Sequence, residues 1–264
     1  MNILYIGDVM GEMGIVTVEK VLPELRKSRG IDVVIAQAEN VSEGKGLSIA
    51  DYERLKGLGI DAFSGGDHTV DKPEIFPVLE NAEEPVTGPA NMHECPGAGY
   101  KYAAVDGKRV LFISLIGNVV GKHADRVIDN PLKTIDEILN SQVDEQRDAT
   151  VVNFHGDYSS EKVIIGHYLD GRVSMVVGDH WHVPTADAQV LPKGTAHITD
   201  VGMCGSLDSS LGITFESVLP RWRDGYQTKN VLETTGRSQF NALLVTVDET
   251  TGKATAAEHI REVW

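Results

Sequence analysis

The chain is poor in cysteine, short of positive charge and without any long apolar run. Its 264 residues include two cysteines, Cys95 and Cys204, in no C-x-x-C pair. That excludes a disulfide framework and a zinc knuckle, and it suits a reducing cytoplasm, where we expect the protein to work. Lys and Arg number 24 against 39 Asp and Glu, a net charge of −15. Such an excess opposes binding to duplex nucleic acid or to an anionic membrane. A small anion is still allowed, because bound metal reverses the field inside a cleft. No apolar run approaches the length of a membrane span. The first residues hold no basic segment followed by an apolar core, so no signal peptide is expected. Internal repeats, low-complexity tracts and linkers are also absent.

What is present is an ordinary globular composition, 41% apolar and 24% charged, long enough for a sizeable core. A single domain over residues 1–264 is the simplest expectation. Residues 2–7, 33–38 and 61–66 read as buried strands. They alternate with helices over 15–28, over 48–58 with Ser48 as N-cap, and after Asp71-Lys72-Pro73. This alternation predicts parallel pairing. Residues 85–100 form an ordered loop, and Asp106-Gly107 turns a hairpin between strands 101–105 and 109–115. Helices follow over about 131–142, 160–168 and 214–223, and strands over 150–154, 172–177, 240–247 and 253–260. Residues 182–212 show no periodicity. So many strands suggest an α/β fold of two packed mixed sheets with helices outside.

Five of the apolar runs end on residue types that bind divalent metal. They deliver Asp8, Glu39 with Asn40, Asp67 with His68, His155, and His180 with His182. Ligands gather where strands of an α/β sheet end. Those ends bring three carboxylates, one amide and four imidazoles toward one cleft. The inventory suits two cations, and paired cations point to phosphoester chemistry. Each residue also has a plainer reading: Asp8 as a cap, Glu39-Asn40 as a hydrogen-bonded strand end, Asp67-His68 as a turn, His155 as a hydrogen-bonded core group, and the H-x-H pair as a surface loop. In an extended segment His180 and His182 share a face, with Trp181 pointing away. Gly44-Lys45-Gly46 lacks P-loop spacing and reads as a mobile loop. His93, His123, His167, His197 and His259 have no supporting pattern, and both thiols read as inert.

At these residues the chain resembles the calcineurin-like metallophosphoesterases and, within them, the YmdB-like family. The stretches that carry the resemblance are Gly7-Asp8-Val9-Met10-Gly11, Ala38-Glu39-Asn40, the segment ending at His68, Phe154-His155, His180-x-His182, and residues 183–203. The resemblance implies a four-layer αββα sandwich and two metal ions, iron or manganese. It implies that Asp8, Glu39, Asn40 and His182 hold one ion, that Glu39, Asp67, His155 and His180 hold the other, and that His68 is catalytic. The implied activity is hydrolysis of 2′,3′-cyclic or 3′,5′-cyclic nucleotides. The chain departs from the family pattern at several places. Asp67 replaces Asn, Asn153-Phe154-His155-Gly156-Asp157 replaces Asp-Phe-His-Ala-Glu, and Asp179 replaces the Thr before the H-x-H. Asp67 adds an anionic ligand, which weakens the Lewis acidity or favours trivalent iron. These departures keep two other readings open: a nucleotide-sensing regulator with little turnover, and a phosphomonoesterase or protein phosphatase. A small phosphodiester or nucleotide is the expected partner, and symmetric self-association is a general expectation.

Overall fold

The structure, a computed structural model, describes residues 1–264. Thirteen strands form two sheets. The first sheet contains β1 (Asn2–Ile6), β2 (Asp8–Val9), β3 (Val33–Gln37), β4 (Ala62–Ser64), β11 (Met203–Ser206), β12 (Ser238–Asp248) and β13 (Lys253–Val263). The second runs in the order β5 (Tyr100–Val105), β6 (Lys108–Ile116), β7 (Ala149–His155), β8 (Met175–Asp179), β10 (Ala196–Ile198) and β9 (Gln189–Val190). The helices are α1 (Gly11–Arg29), α2 (Ile49–Gly57), α3 (Phe76–Glu80), α4 (Pro131–Ser141), α5 (Ser159–Tyr168) and α6 (Phe215–Asp224).

Strand alternation builds the layers. In β1, Leu4 and Ile6 join α1 and α2 side chains such as Val18, Leu22 and Leu55 in one apolar cluster. The intervening Ile3 and Tyr5 face the second sheet and meet Val110, Phe112, Val151 and Val177. On the far side, Leu111, Ile113 and Val152 pack under Ile135 and Leu139 of α4 and Ile165 of α5. The result is helix, sheet, sheet, helix, the αββα order expected. Each fully buried Val, Ile or Phe is worth roughly 1.5–3 kcal/mol, so the inter-sheet cluster is a main source of stability.

Local signals behave as the sequence predicts. Ser48 Oγ accepts from Asp51 N at 3.1 Å as the α2 cap. Asp106 and Gly107 both take positive φ, 48° and 82°, as a tight hairpin turn requires. β1, β3 and β4 pair in parallel, as do β6, β7 and β8. β12 runs antiparallel to β1, so the sheets are mixed.

Three details differ from expectation. α1 begins at Gly11 rather than residue 15. Two poor helix formers, Gly11 and Gly14, occupy its first turn, yet a Cβ on Gly14 would lie 2.7 Å from Cys204 O. Close packing of α1 on β11 outweighs propensity there. β8 spans Met175–Asp179 instead of 172–177. Residues 182–212 contain β9, β10 and β11, each two to four residues long and too short to show a period.

At Gly178 in β8 an added Cβ would sit 1.8 Å from Thr199 O. Gly178→Ala should cost about 1–3 kcal/mol or more through overpacking. A denaturant midpoint equal to that of the unsubstituted chain would show that this edge of β8 yields easily.

Candidate metal centre

The parallel strands of both sheets present their carboxyl ends at one edge, and the eight expected residues lie there. β1 ends at Ile6, and Gly7 turns the chain from β12 toward β11, so that Asp8 pairs with Met203. Only glycine fits at position 7, where a Cβ would meet Gly202 O at 1.9 Å. β3 leads into Glu39 and Asn40, and β4 into Gly65-Gly66-Asp67-His68. β7 ends on His155, and β8 ends on Asp179 before His180. Gly66 is required too, because a Cβ there would lie 2.4 Å from Glu39 Oε2 and 2.5 Å from the His155 ring.

Two groups of side chains meet through Glu39. Ligand atoms of Glu39, Asp67, His155 and His180 all lie within 4.8 Å of one another. His155 Nε2 is 2.9 Å from Asp67 Oδ1 and 3.3 Å from Glu39 Oε1. In the second group, the Asn40 amide lies 3.0 Å from Glu39 Oε1, 3.5 Å from Asp8 Oδ1 and 3.4 Å from His182 Nε2. His182 Nε2 is 3.7 Å from Asp8 Oδ1. His68 stands beside them, with its backbone N–H on Glu39 Oε2 at 2.9 Å and its Nδ1 on Asp71 Oδ2 at 3.0 Å.

The H-x-H pair reaches the site by a route the sequence did not suggest. It is not an extended segment. His180 and His182 take φ of 99° and 62°, a conformation that costs non-glycine residues of order 1–3 kcal/mol each. Neighbouring groups hold it in place. Trp181 N donates to Asp200 Oδ2 at 2.9 Å and Trp181 Nε1 to Asp157 O at 3.0 Å. Lys162, fully buried, donates to Asp200 Oδ2 at 2.6 Å and to Asp179 O at 2.5 Å.

Electrostatics explain what the cluster wants. Asp8, Glu39 and Asp67 are 0%, 2% and 4% exposed. Burial pushes the Asp8 and Glu39 carboxyls well above the usual carboxylate range, and the like charge of neighbouring acids adds to it. Burial works in the same direction on Asp67, but hydrogen bonds from His123 and His155 outweigh it and hold that carboxyl low. Burial opposes charge on His155 too, yet Glu39, Asp179 and Asp67 raise it well above the ordinary imidazole value. Burial and the neighbouring His180 bring His182 down to about 4, so it is a neutral donor near pH 7. Buried carboxylates need a cation or paired donors. The combined set of carboxylate and amide oxygens with imidazole nitrogens fits a first-row divalent metal.

Several residues at this centre escaped the sequence reading. Asp179 accepts from His155 Nδ1 at 2.7 Å, from Tyr5 Oη at 2.9 Å, from Gln37 Nε2 at 3.1 Å and from Asn153 Nδ2. It turns His155 Nε2 into the cleft, as carboxylates behind metal-binding histidines do. The signal was visible, since Asp179 ends an apolar strand just as the other acids do. Asp157 receives His180 Nε2 at 3.3 Å. His123, expected to be ordinary, bonds Asp67. It had no sequence signal, because its turn lies far along the chain. Gly44-Lys45-Gly46 is a hydrogen-bonded turn, with Ser42 N on Gly46 O at 3.0 Å and Gly46 N on Glu39 O. Burial pushes both thiols up to about 12, so they are inert near neutrality. A cavity of about 760 Å³ opens at the opposite ends of β6, β7 and β8, beside Arg109, Thr150 and Ser174, and shares no residue with the centre.

A sequence model of the YmdB-like protein family matches residues 4–260. The chain belongs to the YmdB-like family. It is 36% identical to the 2′,3′-cyclic-nucleotide 2′-phosphodiesterase of Bacillus subtilis, over 98% of this chain and 96% of that protein. A hypothetical protein from Thermus thermophilus superposes with a TM-score of 0.88 at 37% identity, covering 100% of this chain and 99% of that one. A structure described as a novel phosphatase, from Mycoplasma pneumoniae, gives 0.89 at 30% identity, covering 100% and 93%. The αββα sandwich of this YmdB-like chain is thus shared, over all of its own length, with both solved structures.

Metal should stabilise the fold directly. Mn²⁺ at about 100 times its Kd should add about 2.7 kcal/mol to unfolding, and Asp8→Ala should abolish most of that increment. Equal thermal shifts with and without Asp8 would detach the metal from this cluster.

Proposed function

We propose that the chain is a two-cation phosphodiesterase acting on cyclic nucleotides, with 2′,3′-cyclic phosphates the first candidates and 3′,5′-cyclic phosphates the second. Family membership makes it a metal-dependent phosphoesterase. The observation that carries the finer reading is the meeting of eight strand-end residues around Glu39, together with the printed activity of the Bacillus relative. In this reading the whole chain is one catalytic domain. Asp8, Glu39, Asn40 and His182 would hold one cation, and Glu39, Asp67, His155 and His180 the other. Iron and manganese suit these mixed oxygen and nitrogen donors. Cations bound there supply Lewis acidity toward the phosphoryl oxygens and lower the pKa of water.

The chain's own residues supply orientation and proton transfer. Asp179 fixes His155, and Asp157 fixes His180, so that each ring presents its other nitrogen to the cleft. The Asn40 amide, turned by half a revolution about its last torsion, offers an oxygen where its nitrogen now meets Asp8 and Glu39. Asp71 takes the Nδ1 side of His68, which leaves Nε2 as the atom that exchanges a proton. As the water oxygen bonds phosphorus and the ribose oxygen departs, the imidazolium form of His68 gives its Nε2 proton to that oxygen, and the proton released by the water restores the ring. A net charge of −15 favours a small anion drawn to a locally positive centre over a polyanion. Two unpaired cysteines accord with work in a reducing compartment, and no helix is long and apolar enough to cross a membrane.

His68→Ala should lower turnover of a 2′,3′-cyclic nucleotide by about 10²–10⁴-fold, the usual worth of a general acid. Metal content by elemental analysis should stay unchanged. Undiminished turnover would remove His68 from proton transfer. Running a cyclic diester beside a phosphomonoester on one preparation decides between the diesterase and a monoesterase.

A further inference from the structure

The two oxygens of Asp67 keep different company. Oδ1 faces His155 Nε2 at 2.9 Å and His180 Nδ1 at 3.7 Å. Oδ2 accepts a hydrogen bond from His123 Nδ1. His123 is 8% exposed and lies in a single helical turn, Gly121–His123, in the segment after β6. Its ring also meets the His68 ring edge-on, with centroids 4.6 Å apart and planes at 72°. One imidazole from a separate loop therefore touches both a candidate metal ligand and the candidate proton donor.

The chemistry at position 67 gives this contact its purpose. The Asn of the family pattern would offer one oxygen to a metal and carry its own N–H donors on the other arm. A carboxylate has no proton, so its second oxygen must find a donor. Left without one in a buried site it is costly. The Nδ1–H of His123 meets that need.

Resting on the metal-centre reading above, we infer that His123 is a positioning residue paired with Asp67. It holds the carboxylate so that Oδ1 alone faces the cations, and it packs the His68 ring against the same support. It acts through these two neighbours.

The test uses the full chain, stripped of metal and titrated with Mn²⁺ alone by calorimetry. His123→Ala should weaken Mn²⁺ binding about 10–100-fold, the usual effect of losing a group that orients a ligand. His123→Gln keeps an N–H donor and should recover part of the loss, whereas His123→Leu should not. In an Asp67→Asn background the loss caused by His123→Ala should shrink, because the amide brings its own protons. Three results would overturn the inference: wild-type affinity in His123→Ala, equal affinities for the Leu and Gln variants, or the same fold-loss in both backgrounds. The Leu and Gln pair carries the comparison if the Ala variant does not fold. Wild-type chain that binds no Mn²⁺ would overturn the metal-centre reading itself, and this pairing with it.

Discussion

Four carboxylates kept from water at the ends of parallel strands set the terms for the rest of this structure. Asp8, Glu39, Asp67 and Asp179 are each at most 4% exposed. Charges of one sign in so dry a place are unfavourable unless each oxygen has a donor or a cation. The surrounding residues answer that demand. Lys162 bonds the Asp200 carboxylate and the Asp179 backbone carbonyl, four imidazoles converge on Asp67, and backbone N–H groups reach Glu39 and Asp8. The remaining imbalance is one that bound metal would offset.

The architecture serves this edge. Parallel pairing sends the ends of β1, β3 and β4 in one direction, and those of β6, β7 and β8 likewise. Packing the two sheets through Ile3, Tyr5, Phe112 and Val177 brings both sets of ends together. Glycines at positions 7 and 66 then let backbone and ring approach at distances no side chain permits. The cost appears as strain in the H-x-H segment, held by Trp181, Asp200 and Lys162.

The departures from the family pattern are easier to understand in three dimensions than in sequence. Asn153 stands where the pattern has Asp, and Asp179 where it has Thr; in the fold Asn153 Nδ2 donates to Asp179 Oδ2. The acid that the pattern carries on β7 therefore has a counterpart on the neighbouring strand, still within reach of His155. Asp67 with His123 shows the same logic, a carboxylate oxygen in place of an amide matched by a donor from a separate loop. Changes that look independent along the chain meet as neighbours around the centre.

The sequence by itself determined the layers and supplied the candidate residues of the site. The continuous apolar runs of β1, β3 and β7, which mark strands buried on both faces, the Ser48 cap and the Asp106-Gly107 turn are local, and local chemistry is legible in a single chain. The rule that ligands sit at strand ends was enough to nominate Asp8, Glu39, Asn40, Asp67, His68, His155, His180 and His182. Tertiary structure decided what lies behind them. His123 reaches Asp67 across 56 positions, and Tyr5 reaches Asp179 across 174. The backbone of His180 and His182 is bent by partners outside its own segment. Such pairings depend on which strands become neighbours and how closely two sheets pack, and no local spacing in the chain encodes that.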